Sequence, residues 1–86
     1  MKYFYSNKQE TQDLTALGLY LAKRSINKAE VSRKTGLSTY RLSQLSNNPK
    51  SHLRVDELYL IALAIGANPG EMFEFLCEDL SLKDQS

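Results

Sequence analysis

The chain has 86 residues, which is room for one domain, and its single cysteine, Cys77, excludes an internal disulfide. One His and one Cys cannot supply the three or four ligands of a typical zinc site, so we predict no metal and no cofactor. The start, MKYFYSNKQE, contains no apolar run long enough for a signal peptide or a membrane span, which predicts a cytoplasmic protein with no membrane partner.

The formal net charge of +1 conceals an uneven distribution along the chain. Residues 1–54 carry ten Lys or Arg against three acids, a balance of +7, whereas residues 55–86 carry one Lys against seven acids, a balance of −6. A folded domain with a basic half can present a positive face to a polyanion. The charge pattern therefore favours a nucleic acid partner over ordinary solvated surface.

Capping residues and apolar spacing predict helices along the whole chain, and no segment has the pattern of a strand. The first helix is predicted to begin near Ser6 or Asn7, where Ser6 with Gln9 and Asn7 with Glu10 have capping-box spacing, and to end near Arg24. Small or apolar residues recur on one side of this helix, namely Leu14, Leu17, Gly18 and Leu21.

Two short helices follow and are separated by a glycine. The second helix is predicted over residues 28–35, after the favourable N-cap Asn27. Gly36 then supplies a C-terminal turn, since a left-handed conformation costs least at glycine. Ser38 caps the third helix, which is predicted over residues 39–47.

The last two helices complete the predicted fold. The fourth is predicted over residues 55–65, with acidic residues in its first turn and Gly66 after its last. Asn68 caps the fifth, which has Pro69 at its first position and reaches about Leu80. We therefore predict a single all-α domain over residues 1–86, with a core at about 7–80 and a tail at 81–86.

The stretch VSRKTGLSTYRLSQL contains most of the second and third predicted helices, on either side of Gly36. Each of these helices is too short to be stable alone. Ser32 is small enough to let the third helix cross the second closely, and Gly36 permits the tight bend. Leu42 and Leu45 then attach the third helix to the core. This combination is typical of a helix-turn-helix, in which the later helix of the pair is presented outward.

These residues make the chain similar to the Cro- and phage-repressor-like helix-turn-helix proteins, the XRE-type regulators. The resemblance covers roughly residues 17–73 and is carried by NKAEVSRKTGLSTYRLSQLSNN and VDELYLIALAIGANPGEMF. It implies a five-helix, lambda-repressor-like domain that binds double-stranded DNA. The chain departs from the usual family residues at four positions, which are Lys28, Ser32, Ser46 and Asn48.

Stepping 100° per residue along the third helix places Leu42 and Leu45 inward and a polar face opposite them. We predict base contacts from this face and its flanks, with Gln44 suited to adenine and Arg41 to guanine. The full predicted set is Thr39, Tyr40, Arg41, Ser43 and Gln44. Residues predicted to contact phosphates are Lys28, Arg33, Lys34, Asn47, Lys50 and Arg54.

The fifth helix has one apolar face formed by Met72, Phe73, Leu76 and Leu80. Phe75 lies off this face, as does Leu82 if the helix continues. Two interpretations of Phe75 remain open: it meets the first helix or the N-terminal YFY, or it forms a dimer surface with Leu82. The family resemblance favours a homodimer, because its members often dimerise through this region.

The sequence contains no phosphate-binding glycine loop, paired-carboxylate signature or zincin motif, so we predict that the protein is not an enzyme. The leading hypothesis is a sequence-specific transcriptional regulator, a repressor that acts on the nucleoid. Two alternatives remain. One is an antitoxin that represses its own operon and uses the acidic C-terminal segment to bind a toxin. The other is a protein-interaction adaptor on the same fold, since fold does not define function.

Overall fold

The computed structural model describes residues 14–83, and within this range five helices and no strand form an all-α domain. We number the helices in chain order as α1 (Ala16–Lys23), α2 (Lys28–Thr35), α3 (Thr39–Asn47), α4 (Val55–Ile65) and α5 (Pro69–Leu76). The predicted all-α fold is confirmed. No helix within the described range is long and apolar enough to cross a membrane.

The helices surround one hydrophobic core in which α3 has neighbours on two sides. Helix α1 packs against α3 and α5, α2 packs against α3 and α4, and α4 packs against α5. Leu42, Ile61 and Met72 come from three different helices and are fully buried at the centre. The remaining buried apolar residues are Leu17, Tyr20, Leu21, Val31, Leu45, Ala62 and Ala67.

The three middle helices have the bounds that local signals predicted. The Asn27 side chain accepts a hydrogen bond from the Glu30 amide at 3.1 Å and so caps α2. Gly36 follows α2 with a φ of +84°, in the left-handed region that favours glycine. Ser38 caps α3 in the same way as Asn27 caps α2. These are short-range features, which is why spacing alone predicted them.

Helix α1 begins later than predicted, at Ala16 rather than near Ser6 or Asn7. Thr15 has extended backbone, with a ψ of 173°, and its hydroxyl oxygen accepts the Gly18 amide at 3.0 Å as an N-cap. A helix cannot run through this residue, so the predicted single long helix is wrong. The predicted capping boxes near Ser6 lie outside the described residues.

Helix α5 ends earlier than predicted, at Leu76 rather than near Leu80. Cys77 is its C-cap, and residues 77–79 form a turn. Leu80, which the apolar spacing assigned to the core, is 75% exposed. Because Glu78 and Asp79 would add negative charge at the negative end of the helix dipole, they do not favour a further turn.

The inward face of α5 is centred on Met72, and the structure reverses the expected roles of two phenylalanines. Phe75 packs against the core, with its ring centroid 5.2 Å from that of Tyr20 on α1. Phe73 is 51% exposed. The prediction that Phe75 lies off the core is therefore wrong, because α1 covers that flank of α5. Of the two open interpretations, contact with the first helix is the one observed.

Candidate nucleic-acid interface

The outward face of α3 is polar and accessible. Leu42 and Leu45 are buried, which confirms the inward orientation that the helical rotation predicted. On the other side of the helix, Tyr40 is 73% exposed. Thr39 and Asn47 are exposed as well, whereas Ser43 and Gln44 are half-buried. The candidate recognition face, which we define as Thr39, Tyr40, Ser43, Gln44 and Asn47, thus contains no aliphatic residue.

The turn between α2 and α3 is held by a threonine as well as by the glycine. The Thr35 hydroxyl donates to the Val31 carbonyl at 2.7 Å and accepts the Leu37 amide at 3.1 Å. Gly36 donates its amide to the Ser32 carbonyl at 2.9 Å, closing the last turn of α2. Together these bonds define the bend that presents α3, as in a helix-turn-helix.

Gln44 is oriented by the residue that follows α3. Asn48 donates from Nδ2 to Gln44 Oε1 at 3.1 Å, and Asn48 Oδ1 accepts the Lys50 amide at 3.0 Å. A predicted base contact is therefore connected to a predicted phosphate contact. The sequence marks Asn48 only as a departure from the usual family residue, so this role was not predicted.

Arg41 was predicted to read bases, but its side chain is engaged elsewhere. Its Nε donates to Glu57 Oε2 and its Nη2 to Glu57 Oε1, both at 2.9 Å. Nη2 also donates to the His52 carbonyl at 2.9 Å. The guanidinium edge that would pair with guanine is thus occupied, and the geometry does not support Arg41 as a base contact.

Glu57 lies at the start of α4 and is only 6% exposed. Its Oε1 also accepts the Arg54 amide at 2.9 Å, the bond that a glutamate at this position makes in a capping box. Hydrogen bonding to Arg41 lowers the pKa of Glu57 below its ordinary value, and outweighs the opposite effect of burial. The carboxylate is therefore charged and paired at neutral pH.

The far end of α3 is held by α1. The Thr15 hydroxyl lies 2.6 Å from the Leu45 carbonyl and 3.0 Å from the Ser46 carbonyl, and the Thr15 amide donates to Ser46 at 2.9 Å. A Cβ on Gly18 would lie 2.1 Å from the Ser46 carbonyl oxygen, so α1 can approach only because residue 18 is glycine. Ser46 itself is buried and donates from its hydroxyl to the Leu42 carbonyl.

The predicted phosphate contacts are mainly on exposed surface, and several are paired with acids. Arg33 and Lys34 both approach Glu30, at 3.3 and 3.5 Å, and Arg54 lies 3.2 Å from Asp56. Exposed pairs of this kind are weak and can exchange an acid for a phosphate. The others are Lys28 in the first turn of α2, Asn47 in the last turn of α3 and Lys50 in the following loop.

The residues that hold α3 in place, chiefly Thr15 and Glu57, were not predicted from the sequence. Their partners are 30 or 31 and 16 residues away, respectively, so helical spacing could not connect them. The only local signal was the position of Glu57 three residues after Arg54, and this pair lacked the Ser or Thr of a usual capping box.

Within residues 14–83, no group of three or more His, Cys, Asp or Glu side chains could hold a metal ion.

Comparison with known proteins identifies a family for this arrangement. A family model described as the Cro/C1-type helix-turn-helix DNA-binding domain matches residues 16–78. The match begins at the first residue of α1 and ends shortly after α5, so it includes all five described helices. No curated protein and no solved structure matches the chain.

Proposed function

This chain belongs to the Cro/C1-type helix-turn-helix DNA-binding family, a family of DNA-binding regulators, and from that premise we propose that it is a sequence-specific repressor. In the proposal, α3 enters the major groove of double-stranded DNA. Repression requires only that the bound protein occupy a promoter, whereas activation requires a further contact with the transcription machinery. A DNA partner implies a cytoplasmic protein that is bound to the nucleoid.

One observation supports this proposal most strongly, namely the character of the candidate recognition face. It lies opposite the buried Leu42 and Leu45, and it carries hydroxyl, phenol and amide groups instead of aliphatic ones. Such groups match the donors and acceptors that base edges present in the major groove. The bend at Gly36 gives α3 the outward position that this readout needs.

We propose four base contacts, and they are Thr39, Tyr40, Ser43 and Gln44. The Gln44 amide can pair with adenine N6 and N7, and the exposed Tyr40 ring can contact a thymine methyl while its hydroxyl bonds a base edge or phosphate. Arg41 is not retained in this set, because its fork is bonded to Glu57. The phosphate contacts that we propose are Lys28, Arg33, Lys34, Asn47, Lys50 and Arg54.

We further propose a homodimer, which would read two half-sites of an inverted repeat. Phe75 does not form its interface, since it packs on Tyr20. Leu82 is retained, and two other large apolar residues near it in the chain, Phe73 and Leu80, are also exposed. Exposed apolar side chains of this size are common at association surfaces.

The antitoxin hypothesis is a narrower form of the same function. The observation in its favour is that exposed Phe73, Leu80 and Leu82 alternate along the chain with the acids Glu71, Glu74, Glu78 and Asp79. A toxin would bind this segment and leave α3 free for DNA. Copurification with the product of a neighbouring gene, abolished by Leu80→Asp but not by Gln44→Ala, would support this version.

Selection from a pool of random duplex DNA tests the main proposal. We expect enrichment of an inverted repeat whose half-site centres are about one helical turn apart. A matched selection with Gln44→Ala should enrich the same repeat with one base pair per half-site relaxed. If the protein binds no duplex DNA at all, it is an adaptor on this fold. If it binds all sequences equally, it is not a sequence-specific regulator.

A further inference from the structure

Arg41 lies on α3, the helix that carries the candidate recognition face. Its side chain nevertheless bonds residues of α4 and of the loop that precedes α4. Its Nε and Nη2 donate to the two oxygens of Glu57 at 2.9 Å each. The same Nη2 donates to the His52 carbonyl, also at 2.9 Å. One guanidinium therefore connects α3 to the first turn of α4 and to the loop between them.

The acid in this pair is buried where it cannot reach DNA. Glu57 is 6% exposed; its Oε1 accepts from the Arg54 amide and Arg41 Nη2, and its Oε2 accepts from Arg41 Nε. Its position thus fixes both the start of α4 and the direction of the Arg41 side chain. Any effect of Glu57 on base preference has to pass through the orientation of α3.

We propose that Arg41 and Glu57 form a positioning pair that sets the angle at which α3 meets the major groove. The opposite end of α3 is already held by Thr15, which bonds the carbonyls of Leu45 and Ser46. Without Arg41, the start of α3 would be held only by the packing of Leu42 and of α2, which fixes the direction of the helix less closely than hydrogen bonds, so the helix could pivot and move its base-contacting side chains. This inference rests on the proposed function.

Base reading by Arg41 would compete with this role. Bidentate pairing with guanine needs donors on two guanidinium nitrogens, and both forks include Nη2, which donates to Glu57 and to the His52 carbonyl. Turning the fork toward a base would leave a buried carboxylate without its counter-ion, which is unfavourable. The pair therefore persists in the DNA complex, and base preference depends on a carboxylate that does not touch DNA.

The test compares base preferences from random-pool selection for the wild type, Arg41→Gln, Glu57→Gln and the double variant. We expect each single variant to lose about tenfold in preference at the base pairs that Tyr40 and Gln44 read, comparable to the loss of a bidentate base contact. The double variant should lose no more than either single variant, because both changes remove the same pair. Circular dichroism establishes that each variant is folded during selection. If Glu57→Gln unfolds, Glu57→Asp replaces it, because aspartate keeps the charge but its shorter side chain reaches less far toward Arg41.

The exposed pair between Arg33 and Glu30 supplies matched controls. Arg33→Gln should weaken binding to all sequences alike, and Glu30→Gln should leave the preference unchanged. If Glu57→Gln and Glu57→Asp retain the wild-type preference, the inference is overturned while the proposed function stands. It is also overturned if Arg41→Gln loses preference for one guanine only. If the wild type itself selects no sequence, the proposed function fails and the inference fails with it.

Discussion

In the absence of DNA, the Gln44 side chain is already oriented by a hydrogen bond from Asn48, one helical turn further along the chain. Its Oε1 already accepts a hydrogen bond from Asn48, but a carbonyl oxygen has two lone pairs and can accept a second one. The Gln44 NH2 group can donate at the same time, so pairing with adenine remains open. A side chain held in this way loses less conformational freedom on binding.

We predict that Gln44→Ala reduces specific binding without affecting the fold. Because residue 44 lies opposite the buried leucines, stability should change by no more than about 0.5 kcal/mol. Specific affinity should fall by about 1–3 kcal/mol, with relaxed preference at one base pair per half-site. Thermal melting and binding to matched and mismatched sites measure the two effects separately.

Leu45→Ala is the control for this prediction and should give the reverse pattern. Leu45 is 3% exposed, so its truncation should lower stability by about 2–5 kcal/mol. Under conditions in which Leu45→Ala is folded, we expect the wild-type base preference, because the base-contacting side chains on α3 are unchanged. A loss of stability with unchanged preference in Gln44→Ala would contradict the orientation of α3 as a recognition helix.

We predict that Glu57 makes stability depend on pH in the acid range. Its pKa is lower in the folded protein than in the unfolded chain, so its contribution is present above the unfolded value and lost as pH falls through the folded one. The stability difference between wild type and Glu57→Gln should therefore be largest near neutral pH and shrink below about pH 4. Denaturant unfolding at several pH values measures it, with Glu30→Gln as the exposed control. A difference that is constant with pH would contradict the charged pair.

At the level of whole helices, α3 is positioned by contacts at both of its ends. Arg41 near its start bonds α4 and the preceding loop, and Leu45 with Ser46 near its end accept bonds from Thr15. The approach of α1 at that end is so close that Gly18 has no room for a side chain. These contacts lie on the other sides of α3 and leave its polar face accessible.

We predict that Gly18→Ala destabilises the protein, although alanine favours helix formation over glycine. The added methyl would meet the Ser46 carbonyl, which is backbone and cannot rotate away. The expected loss is about 3 kcal/mol, the upper part of the range for overpacking. Denaturant unfolding measures it. Gly70→Ala is the control, because its methyl would meet a side-chain oxygen, Asn68 Oδ1, at 3.2 Å and not a backbone carbonyl at 2.1 Å.

DNA affinity should also be lower in Gly18→Ala even where the protein is folded, because the methyl would push α1 and α3 apart. Gly70→Ala should bind like the wild type, since α5 makes no proposed DNA contact. Equal stability of Gly18→Ala and the wild type would show that α1 does not cross α3 at this residue.

For the molecule as a whole, we propose that the basic half of the chain contacts DNA and that the acidic half does not. All the proposed phosphate contacts come from residues 28–54, within the basic half. The acidic half supplies α4 and α5, which complete the core, and its exposed acids would repel DNA. This division orients the domain with α3 toward the duplex and α5 away from it.

We predict a steep salt dependence of binding as a consequence. Neutralising about four to six phosphates per subunit gives a slope of roughly −4 to −5 per subunit in log affinity against log salt, and about twice that for the dimer. Lys34→Gln should weaken binding to all sequences and make the slope less steep by about one for each subunit. Glu74→Gln on α5 should change neither quantity. Fluorescence anisotropy over a salt series measures the slope, and binding that is indifferent to salt would contradict the whole assignment.

We also predict a homodimer, for which light scattering at micromolar concentration should give twice the chain mass. Leu82→Asp should shift the population toward the monomer, whereas Phe75→Leu should instead lower stability through its contact with Tyr20. In the dimer, the two α3 helices should lie about 34 Å apart, one turn of DNA. A strict monomer on a two-site duplex would refute this prediction.

The features that depend on neighbouring residues could be predicted from the order of the amino acids. Asn27, Gly36 and Ser38 define the ends of α2 and the start of α3 through bonds or backbone angles within a few positions. Helical rotation likewise predicted that Leu42 and Leu45 are buried. These outcomes follow from local geometry, which spacing expresses directly.

The features that depend on which helices meet became known from the packing of the fold. Phe73 and Phe75 flank the same apolar residues of α5, and the position of α1 alone selects Phe75 for the core. Arg41 has the hydrogen-bond donors that a base contact needs, but they bond the carboxylate of Glu57, which is 16 residues away. Helix α1 begins after Thr15, whose side chain bonds carbonyls on α3. Each outcome arises from contacts between distant segments, and no pattern within one segment contains that information.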